Sequence, residues 1–331
     1  MTDVLFLTSD ELADLASPAE YVDWVRAGYE SHGGEGSAEP RTKLVREEPP
    51  GMCTGYLAVL PEVGAMGGYV YAAGFGDADV HFTLPLFDVE SGRLVALLDG
   101  ASMNPFKTGA AGAVAVDELA REDATTCAVI GSGAQASGQL KATATVREFE
   151  SVRVYSPTPE NRRAFADEFD ARLDADVTAV GSPADAVDGA DVVVTATKAH
   201  DPVFDDADLP DGAHVTAMGQ YDPGSQEIPP ETVARAVYVP DLRARAFQDA
   251  GAFLAARDAG LVDDDHVHAE LGEVVAGHRP GRTSDEEVTV FDSGGTGIET
   301  VAAAWGLYER ARDRGLGEVI EFAPGSEALE G

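Results

Sequence analysis

Cysteine is almost absent from this sequence. The 331-residue chain contains two, Cys53 and Cys127. Two cysteines cannot build a disulfide framework of the kind that holds small secreted domains together. Cys127 lies in a short apolar run, where a buried thiol is the expected role. With 44% hydrophobic residues the chain has enough apolar side chains for packed cores, and its length favours two domains over one.

Positive charge is also scarce. The chain has 23 Lys and Arg against 59 Asp and Glu, which gives a formal net charge of −36 and a sequence pI near 4.2. Nucleic acids and anionic membranes bind through basic surfaces, so neither is an expected partner. Four lysines beside abundant Asp, Glu, Ala and Gly resemble the composition of proteins from salt-loving organisms. An acidic mesophilic protein is the alternative.

Long apolar runs are missing as well. No run reaches the roughly 20 residues that a membrane-spanning helix needs. The first residues include Asp3, Asp10 and Glu11 and lack the basic segment and apolar core of a signal peptide. We therefore expect a cytoplasmic protein.

A glycine turn after a short apolar run is the most informative segment. Residues 125–130 are apolar or β-branched and lead into Gly131, Gly133 and Ala136, followed by a segment of small and apolar residues. This order predicts a strand, a tight turn and a helix. The G-x-G-x-x-A spacing is the one that places a dinucleotide pyrophosphate at a helix N-terminus. Alone the motif is weak, so its value depends on the segments that follow.

Three later segments strengthen the prediction. Residues 151–156, 191–197 and 214–219 are apolar, β-branched runs that end in small or polar residues. Strands that alternate with helices and carry polar groups at their carboxyl ends form a doubly wound parallel sheet. The sequence therefore predicts an α/β protein with a Rossmann dinucleotide-binding domain and a second, smaller α/β domain.

The end of the strand predicted at residues 151–156 indicates the cofactor. NAD-binding sheets usually place an acidic residue there for the ribose hydroxyls, but this chain has Ser156, followed by Thr158, Arg162 and Arg163. Hydroxyl groups and arginines suit a 2′-phosphate, so NADP is favoured over NAD. The alternative is an ordinary helix N-cap with solvated arginines.

Two short segments carry cations that are candidates for binding a substrate. In the strand predicted at residues 40–44, a period of two puts Arg41 and Lys43 on one face. In the second segment, Asn104 and Pro105 start a helix whose first turn holds Lys107, and Thr108 follows. A cation there opposes the helix dipole unless an anion binds. The alternatives are charges solvated on an edge strand and a lysine that snorkels to solvent.

The whole chain resembles the ornithine cyclodeaminase/μ-crystallin family. The resemblance rests on residues 97–100 (LLDG), 106–111 (FKTGAA), 119–124 (LAREDA), 131–136 (GSGAQA), 195–197 (TAT), 223–227 (PGSQE) and 291–299 (FDSGGTGIE). It implies a Rossmann domain over residues 123–299, inserted into a substrate-binding and dimerisation domain over 1–122 with 300–331. It also implies a homodimer.

The resemblance also implies roles for residues. Lys107 stands where the family usually has a carboxylate-binding arginine, and Arg41 resembles its early substrate-binding arginine. A lysine expected in the strand around residues 68–73 is replaced by tyrosine, and Lys43 is a candidate substitute. The implied cofactor-binding residues, together with those from the strand ends, are Thr108, Gly131, Gly133, Ala134, Gln135, Ser156, Thr158, Arg162, Thr195, Ala196, Thr197, Met218, Gly219 and Ser293.

The largest departure from the family lies after residue 219. Many relatives have an aspartate followed by x-Pro-Gly-Lys, whereas this chain has Tyr221 in place of the aspartate and Ser225 in place of the lysine. Asp222, one residue further on, is a candidate for the displaced carboxylate. We therefore expect Asp222 or Tyr221 to transfer the proton, with Lys107 assisting catalysis.

The implied reaction is hydride transfer between a nicotinamide and the α-carbon of a small amino, imino or keto acid. The displaced aspartate favours an amino-acid dehydrogenase or imine reductase. A cyclodeaminase that converts ornithine to proline and ammonia is the alternative, and so is an NADPH-dependent binder without turnover. The segment His266–Glu270 has metal-binding residue types, but it follows three aspartates at a predicted helix start, so no metal site is expected.

Overall fold

The computed structural model describes residues 2–219 and 221–326. In chain order its first elements are β1 (Thr2–Leu7), α1 (Ser9–Leu12), α2 (Pro18–Gly33), β2 (Ser37–Ala38), β3 (Thr42–Arg46), β4 (Gly51–Leu60), β5 (Ala65–Ala73), β6 (Thr83–Asp88), β7 (Leu94–Asp99) and α3 (Asn104–Leu119). The next are β8 (Thr126–Ile130), α4 (Ala134–Thr143), β9 (Ser151–Tyr155), α5 (Pro159–Asp170), β10 (Asp176–Ala179), α6 (Pro183–Val187), β11 (Val192–Thr195) and β12 (His214–Ala217). The last are α7 (Pro230–Arg235), β13 (Val237–Pro240), α8 (Arg243–Asp249), α9 (Gly251–Asp258), α10 (Leu271–Val275), β14 (Thr289–Asp292), α11 (Gly297–Arg314) and β15 (Glu318–Phe322).

The chain forms two compact units. Residues up to 107 and from 296 onward make the first unit, and residues 108–295 make the second. The sequence places the domain boundaries at 122/123 and 299/300, so most of α3 moves to the second unit. The reason is close packing of α3 on α4. A Cβ at Gly109 would lie 2.2 Å from the carbonyl oxygen of Gly138, and the Gln139 side chain donates a hydrogen bond to the Thr108 carbonyl at 2.8 Å.

The second unit confirms the predicted doubly wound sheet. Its strands run in the order β10-β9-β8-β11-β12-β14-β13, and every neighbouring pair is parallel. Both faces are covered, as an all-parallel sheet requires. One face packs Val129, Val152 and Phe169 into a core, and the other packs Val215 and Phe253. Parallel strands end at one edge of the sheet, so the loops after β8, β9, β11, β12 and β14 share that edge.

The first unit is built on a mixed sheet. Its strands run in the order β15-β1-β7-β6-β5-β4-β2, with β3 also paired to β4. Strand β1 is parallel to β7 and antiparallel to β15. Helix α2 starts at Pro18 and runs to Gly33, with a capping box between Ser17 and Glu20 and a proline at its first position. In the described chain, no helix is both long and apolar enough to cross a membrane.

Helix α11 packs closely against α2 in the first unit because each helix has a glycine at the contact. A Cβ at Gly28 would lie 2.7 Å from the Ala302 Cβ, and a Cβ at Gly306 would lie 2.2 Å from the Trp24 ring. Any larger residue at either position would push the helices apart. The C-terminal helix is therefore part of the core of the first unit.

Candidate active site

The glycine turn of the second unit has an open space at a helix N-terminus. Gly131 has φ of +126°, and a Cβ there would lie 2.4 Å from the Ala196 carbonyl oxygen, so only glycine fits. Gly133 is the N-cap of α4, and a Cβ there would meet nothing within 4 Å. The first backbone N–H groups of α4 therefore face an open space next to Gly133, which any side chain at this position would fill. Phosphate groups bind to backbone N–H groups in such spaces at helix N-termini.

Thr108 lies beside this turn, as the resemblance implies. Its hydroxyl donates to the Gln135 side-chain oxygen at 2.6 Å, and Gln135 is the second residue of α4. The predicted residues Thr108, Gly131, Gly133, Ala134 and Gln135 are therefore brought together around the start of one helix. Ala136, in the third position of the motif, is fully buried and lets α4 approach the sheet closely.

At the end of β9 the polar side chains are linked to one another. The Ser132 hydroxyl donates to Ser156 at 2.9 Å, and Arg162 donates to the Ser156 carbonyl at 2.8 Å. The Arg162 guanidinium also lies 5.5 Å from the centre of the Tyr155 ring. Thr158 is the N-cap of α5 but makes no side-chain capping bond. A hydroxyl pair and a held guanidinium thus stand where NAD-binding sheets carry an acid.

A buried glutamate joins the loops after β11 and β12. Glu227 accepts hydrogen bonds from the backbone N–H of Thr197 and of Gly219, both at 2.6 Å, and from the Thr195 hydroxyl at 3.1 Å. Burial raises the pKa of its carboxyl, although these hydrogen bonds oppose the rise. Five of the predicted residues lie in these two loops or at the end of β11: Thr195, Ala196, Thr197, Met218 and Gly219. Met218 precedes Gly219 and donates its N–H to the Thr195 carbonyl at 3.1 Å. Glu227 itself was not predicted as a site residue, although the family motif contained it.

The candidate proton donors lie in the loop after β12. Tyr221 is 37% exposed, and Asp222 is exposed as well. Asp222 accepts a hydrogen bond from the Gly224 N–H at 3.2 Å and another from the Ser225 hydroxyl at 3.3 Å. Both carboxylate oxygens of Asp222 are therefore oriented by its own loop. Gln220 lies outside the described residues.

The loop after β14 is fixed by a buried ion cluster that the sequence did not indicate. Arg245 donates to Asp241 at 2.7 Å and to Asp292 at 2.6 Å. Tyr238 donates to the second oxygen of Asp292, and the Gly294 N–H donates to Asp241, both at 2.8 Å. Ser293 is held within this loop, with its N–H bonded to the Ala217 carbonyl at 2.9 Å. Removing one member would leave a buried charge without its partner, so the cluster holds this loop rigidly.

The first unit holds two buried cations around one tyrosine ring. The Arg41 guanidinium lies 5.0 Å from the centre of the Tyr56 ring, and the Lys107 ammonium lies 5.7 Å from the same ring. Arg41 donates to the Tyr71 hydroxyl at 2.8 Å. We call Arg41, Tyr56, Tyr71, Lys107 and Glu299 the cation cluster. Because an aromatic face attracts cations, these rings hold positive charge in a chain that is otherwise strongly acidic.

Lys107 does not reach solvent, so the snorkelling alternative is wrong. Its side chain is 1% exposed and bonds to Glu299 at 3.1 Å. The Glu299 carboxylate also accepts from the backbone N–H and the hydroxyl of Thr296, both at 2.6 Å, as the capping box of α11. Glu299 was missed as a site residue because it lies 192 residues from Lys107.

The remaining predicted residues of the first unit are placed differently from expectation. The expected strand at 40–44 begins at Thr42, so Arg41 precedes β3 and is buried, whereas Lys43 is half-exposed opposite Thr54. In the strand where relatives carry a lysine, Tyr69 donates to the Gly100 carbonyl at 2.7 Å. Burial raises the pKa of Tyr69 well above its ordinary value, so this hydroxyl stays protonated as a donor.

Among the described residues, no group of three or more His, Cys, Asp or Glu side chains is arranged to hold a metal ion. His266 instead contacts the Val233 carbonyl, and His268 contacts the Pro280 carbonyl.

Comparison with known proteins identifies the relatives of this chain. Residues 72–315 match the model of the ornithine cyclodeaminase/mu-crystallin family. Delta(1)-pyrroline-2-carboxylate reductase from Bacillus cereus is 36% identical over 248 residues, which are 75% of this chain and 76% of the relative.

Two solved structures share the fold over nearly the full length. The reductase of the same name from Thermococcus litoralis, in complex with NADH and L-proline, has a TM-score of 0.89 and 31% identity, and the match covers 96% of this chain and all of the other. An archaeal alanine dehydrogenase dimer with bound NAD has a TM-score of 0.89 and 30% identity, and covers 97% of this chain and all of the other.

Proposed function

The chain belongs to the ornithine cyclodeaminase/mu-crystallin family, and we propose on that premise that it is a nicotinamide-dependent oxidoreductase of small amino or imino acids. The nicotinamide supplies or accepts the hydride at the α-carbon. The open space at Gly133 and the start of α4 fits the pyrophosphate of such a cofactor. The residues of this chain then have two tasks, which are to hold the substrate carboxylate and to move a proton.

Arg41 is the residue that we propose to hold the carboxylate. It is 6% exposed, and Tyr56 and Tyr71 fix its guanidinium. Lys107 has its own carboxylate partner, Glu299, and so contributes mainly positive potential. The single observation that carries the proposal is that two cations, Arg41 and Lys107, are buried against the same tyrosine ring. Buried cations attract an anion because burial weakens the screening by water.

Asp222 is the proposed proton donor. Reduction of an imine adds one hydride to carbon and one proton to nitrogen, and the proton must come from an acid. Asp222 lies in the loop after β12, on the sheet edge where ligands of doubly wound folds bind. Its carboxylate is oriented by Gly224 and Ser225. Tyr221, one residue earlier, is the second candidate for this role.

The cation cluster favours a substrate with an uncharged side chain. Binding the side-chain ammonium of ornithine at this cluster would require a carboxylate there, and the carboxylate of the cluster, Glu299, already accepts hydrogen bonds from Lys107 and Thr296. The rings near Arg41 are those of Tyr56, Tyr71 and, stacked beside Tyr71 at 4.8 Å, Phe82. We therefore propose imine reduction or amino-acid dehydrogenation over cyclodeamination.

We propose NADP as the preferred cofactor and a homodimer as the assembly. Ser156, Thr158 and Arg162 stand where a 2′-phosphate would bind, although the two similar structures hold NADH and NAD. For the dimer, Leu57, Val59 and Val70 are exposed on one face of the first sheet. Apolar residues grouped on an exposed face are typical of a subunit interface.

The experiment is oxidation of NADPH and of NADH in molar salt, with pyruvate plus ammonia, glyoxylate plus amines, and cyclic ketimines as substrates. Arg41→Gln should raise KM for the imino or keto acid about 10- to 100-fold, because a charged hydrogen bond contributes about 1.5–3 kcal/mol. Arg46→Gln is the matched control, since Arg46 is exposed and should leave KM unchanged. Proline and ammonia from ornithine would overturn the proposal in favour of a cyclodeaminase. Tight NADPH binding with no turnover would overturn it in favour of a binder.

A further inference from the structure

His200 and Ser225 join the loops after β11 and β12. The His200 Nδ1 lies 2.7 Å from the Ser225 hydroxyl, and the Gln226 N–H donates to the His200 carbonyl at 3.1 Å. Ser225 is 1% exposed, and α9 closes over it, since a Cβ at Gly251 would lie 1.9 Å from the Ser225 carbonyl oxygen. The serine is therefore held in one place by packing as well as by hydrogen bonds.

Ser225 also contacts Asp222. Its hydroxyl donates to the Asp222 Oδ2 at 3.3 Å, and its N–H donates to the Asp222 carbonyl at 3.0 Å. A hydroxyl has one hydrogen to donate. With that hydrogen directed to the carboxylate, the Ser225 oxygen accepts from the His200 Nδ1–H in the imidazole form that carries a proton on Nδ1. The two hydrogen bonds therefore run in one direction, from the imidazole to the hydroxyl and from the hydroxyl to the carboxylate.

We propose that His200 and Ser225 are positioning residues that set the orientation and the protonation of Asp222. The inference rests on the proposed function, in which Asp222 gives a proton to the substrate nitrogen. His200 is exposed, so its imidazole is open to water. When Asp222 has lost its proton, the Ser225 hydroxyl passes its hydrogen to the Asp222 Oδ2 and takes one from the His200 Nδ1. The imidazolium becomes neutral imidazole, the carboxylate becomes carboxylic acid, and the serine is unchanged.

Histidine suits this task because its charge changes between pH 5 and 8, whereas an ordinary aspartate is almost fully ionised at neutral pH. The other charged groups on the two loops are Lys198, Asp201, Asp205, Asp206, Asp208, Asp211 and the buried Glu227, and Asp292 of β14 lines the same cavity as Ser225. A serine is needed in the middle because a hydroxyl both accepts and donates. The lysine that relatives usually have at this position would donate only, so the relay is a property of this chain.

The first test is the pH profile of turnover for the wild type, His200→Gln and Ser225→Ala. Glutamine keeps a hydrogen-bond donor but does not titrate. We expect His200→Gln to lower kcat at pH 7.5 about tenfold, less than the 10²–10⁴ attributed to a general acid. The limb of the profile at high pH should move to lower pH, while KM for NADPH stays within twofold. Ser225→Ala should give the same shift.

His278→Gln is the matched control, because His278 is an exposed histidine elsewhere in the second unit. It should reproduce the wild-type profile. An unshifted profile in both His200→Gln and Ser225→Ala would overturn the proposal, because a purely structural role lowers kcat without moving the pH limb.

The second test does not need activity. The imidazole of His200 is titrated by NMR in the wild type and in Asp222→Asn. A carboxylate favours the charged imidazole, so we expect the midpoint to fall by about half a unit in Asp222→Asn, and by a similar amount in Ser225→Ala. Equal midpoints would overturn the linkage. If the wild type shows no turnover, the proposed function fails, and this titration still decides whether the three residues are coupled.

Discussion

The first unit holds its two buried cations with tyrosine rings and one carboxylate, whereas the second unit leaves the backbone amides of a glycine turn facing an open space. In the site proposed for the first unit, the functional atoms belong to the side chains of Arg41, Lys107 and Glu299. In the second unit, Gly131 and Gly133 matter because they have no side chain. The same contrast extends to stability, since side-chain charges need counter-ions and backbone amides do not.

This contrast explains how each site tolerates change. A backbone site is lost when a side chain fills it, but the surrounding fold remains. A site of buried charges is part of the core, and removing one charge leaves another without its partner. We therefore expect the first unit to lose stability and function together, and the second unit to lose them separately.

The largest effect is expected for Lys107→Met. It leaves Glu299 buried without its cation, and such a loss costs about 3–5 kcal/mol of the free energy of unfolding. Lys107→Met combined with Glu299→Gln should recover part of this. The measurement is urea unfolding in molar salt. Arg172→Met is the control, since Arg172 forms an exposed pair with Glu168 that is worth well under about 1 kcal/mol. Equal effects of Lys107→Met and Arg172→Met would break the comparison.

A smaller effect, on binding alone, is expected for Gly133→Val. Its φ of −91° suits any residue and nothing lies within 4 Å, so the unfolding free energy should stay within about 0.5 kcal/mol. The side chain blocks the phosphate space, so NADPH affinity should fall about 100-fold, in line with about 1.5–3 kcal/mol for each lost charged hydrogen bond. Calorimetric titration measures it. Gly181→Val, at an exposed turn, should change neither quantity. Loss of stability with Gly133→Val would show that the site is not separable from the fold.

The smallest effect is expected for Ser156→Asp, at a part of the proposed cofactor site that depends on side chains. An acid there binds ribose hydroxyls and repels a 2′-phosphate. The ratio of NADPH to NADH affinity should fall about tenfold, a change of about 1.4 kcal/mol. Ser151→Asp, at the opposite end of β9, should leave the ratio unchanged. An unaltered ratio in Ser156→Asp would locate cofactor choice elsewhere.

The two units also differ in how much of each could be predicted from the sequence. The parallel sheet and the glycine turn were predictable because each strand and the turn are encoded by consecutive residues. The pair of Lys107 and Glu299 was not, because nothing in either segment indicates a partner 192 residues away. For the same reason the Arg245 cluster was missed, since its carboxylates come from the ends of two different strands. The sequence named both Arg41 and Lys43 as candidates for binding the substrate, and only the structure separates the buried Arg41 from the half-exposed Lys43.

The domain boundary shows a related limit. A helix starting at Asn104 was predictable from its cap, but the unit to which it belongs depends on Gly109 packing on Gly138. Glycines at such contacts look the same in a sequence as glycines in loops.

The discontinuity of the first unit has a consequence for biosynthesis. A ribosome releases residues 108–295 as one continuous stretch, so the second unit can complete its sheet while the chain is still being made. The first unit cannot, because α11 and β15 are the last described elements to emerge. Until then, the surface of α2 around Gly28 is not covered by α11, and the edge of β1 is not paired with β15. The nascent protein thus carries an uncovered apolar face through most of its synthesis, a period in which such chains are prone to aggregate.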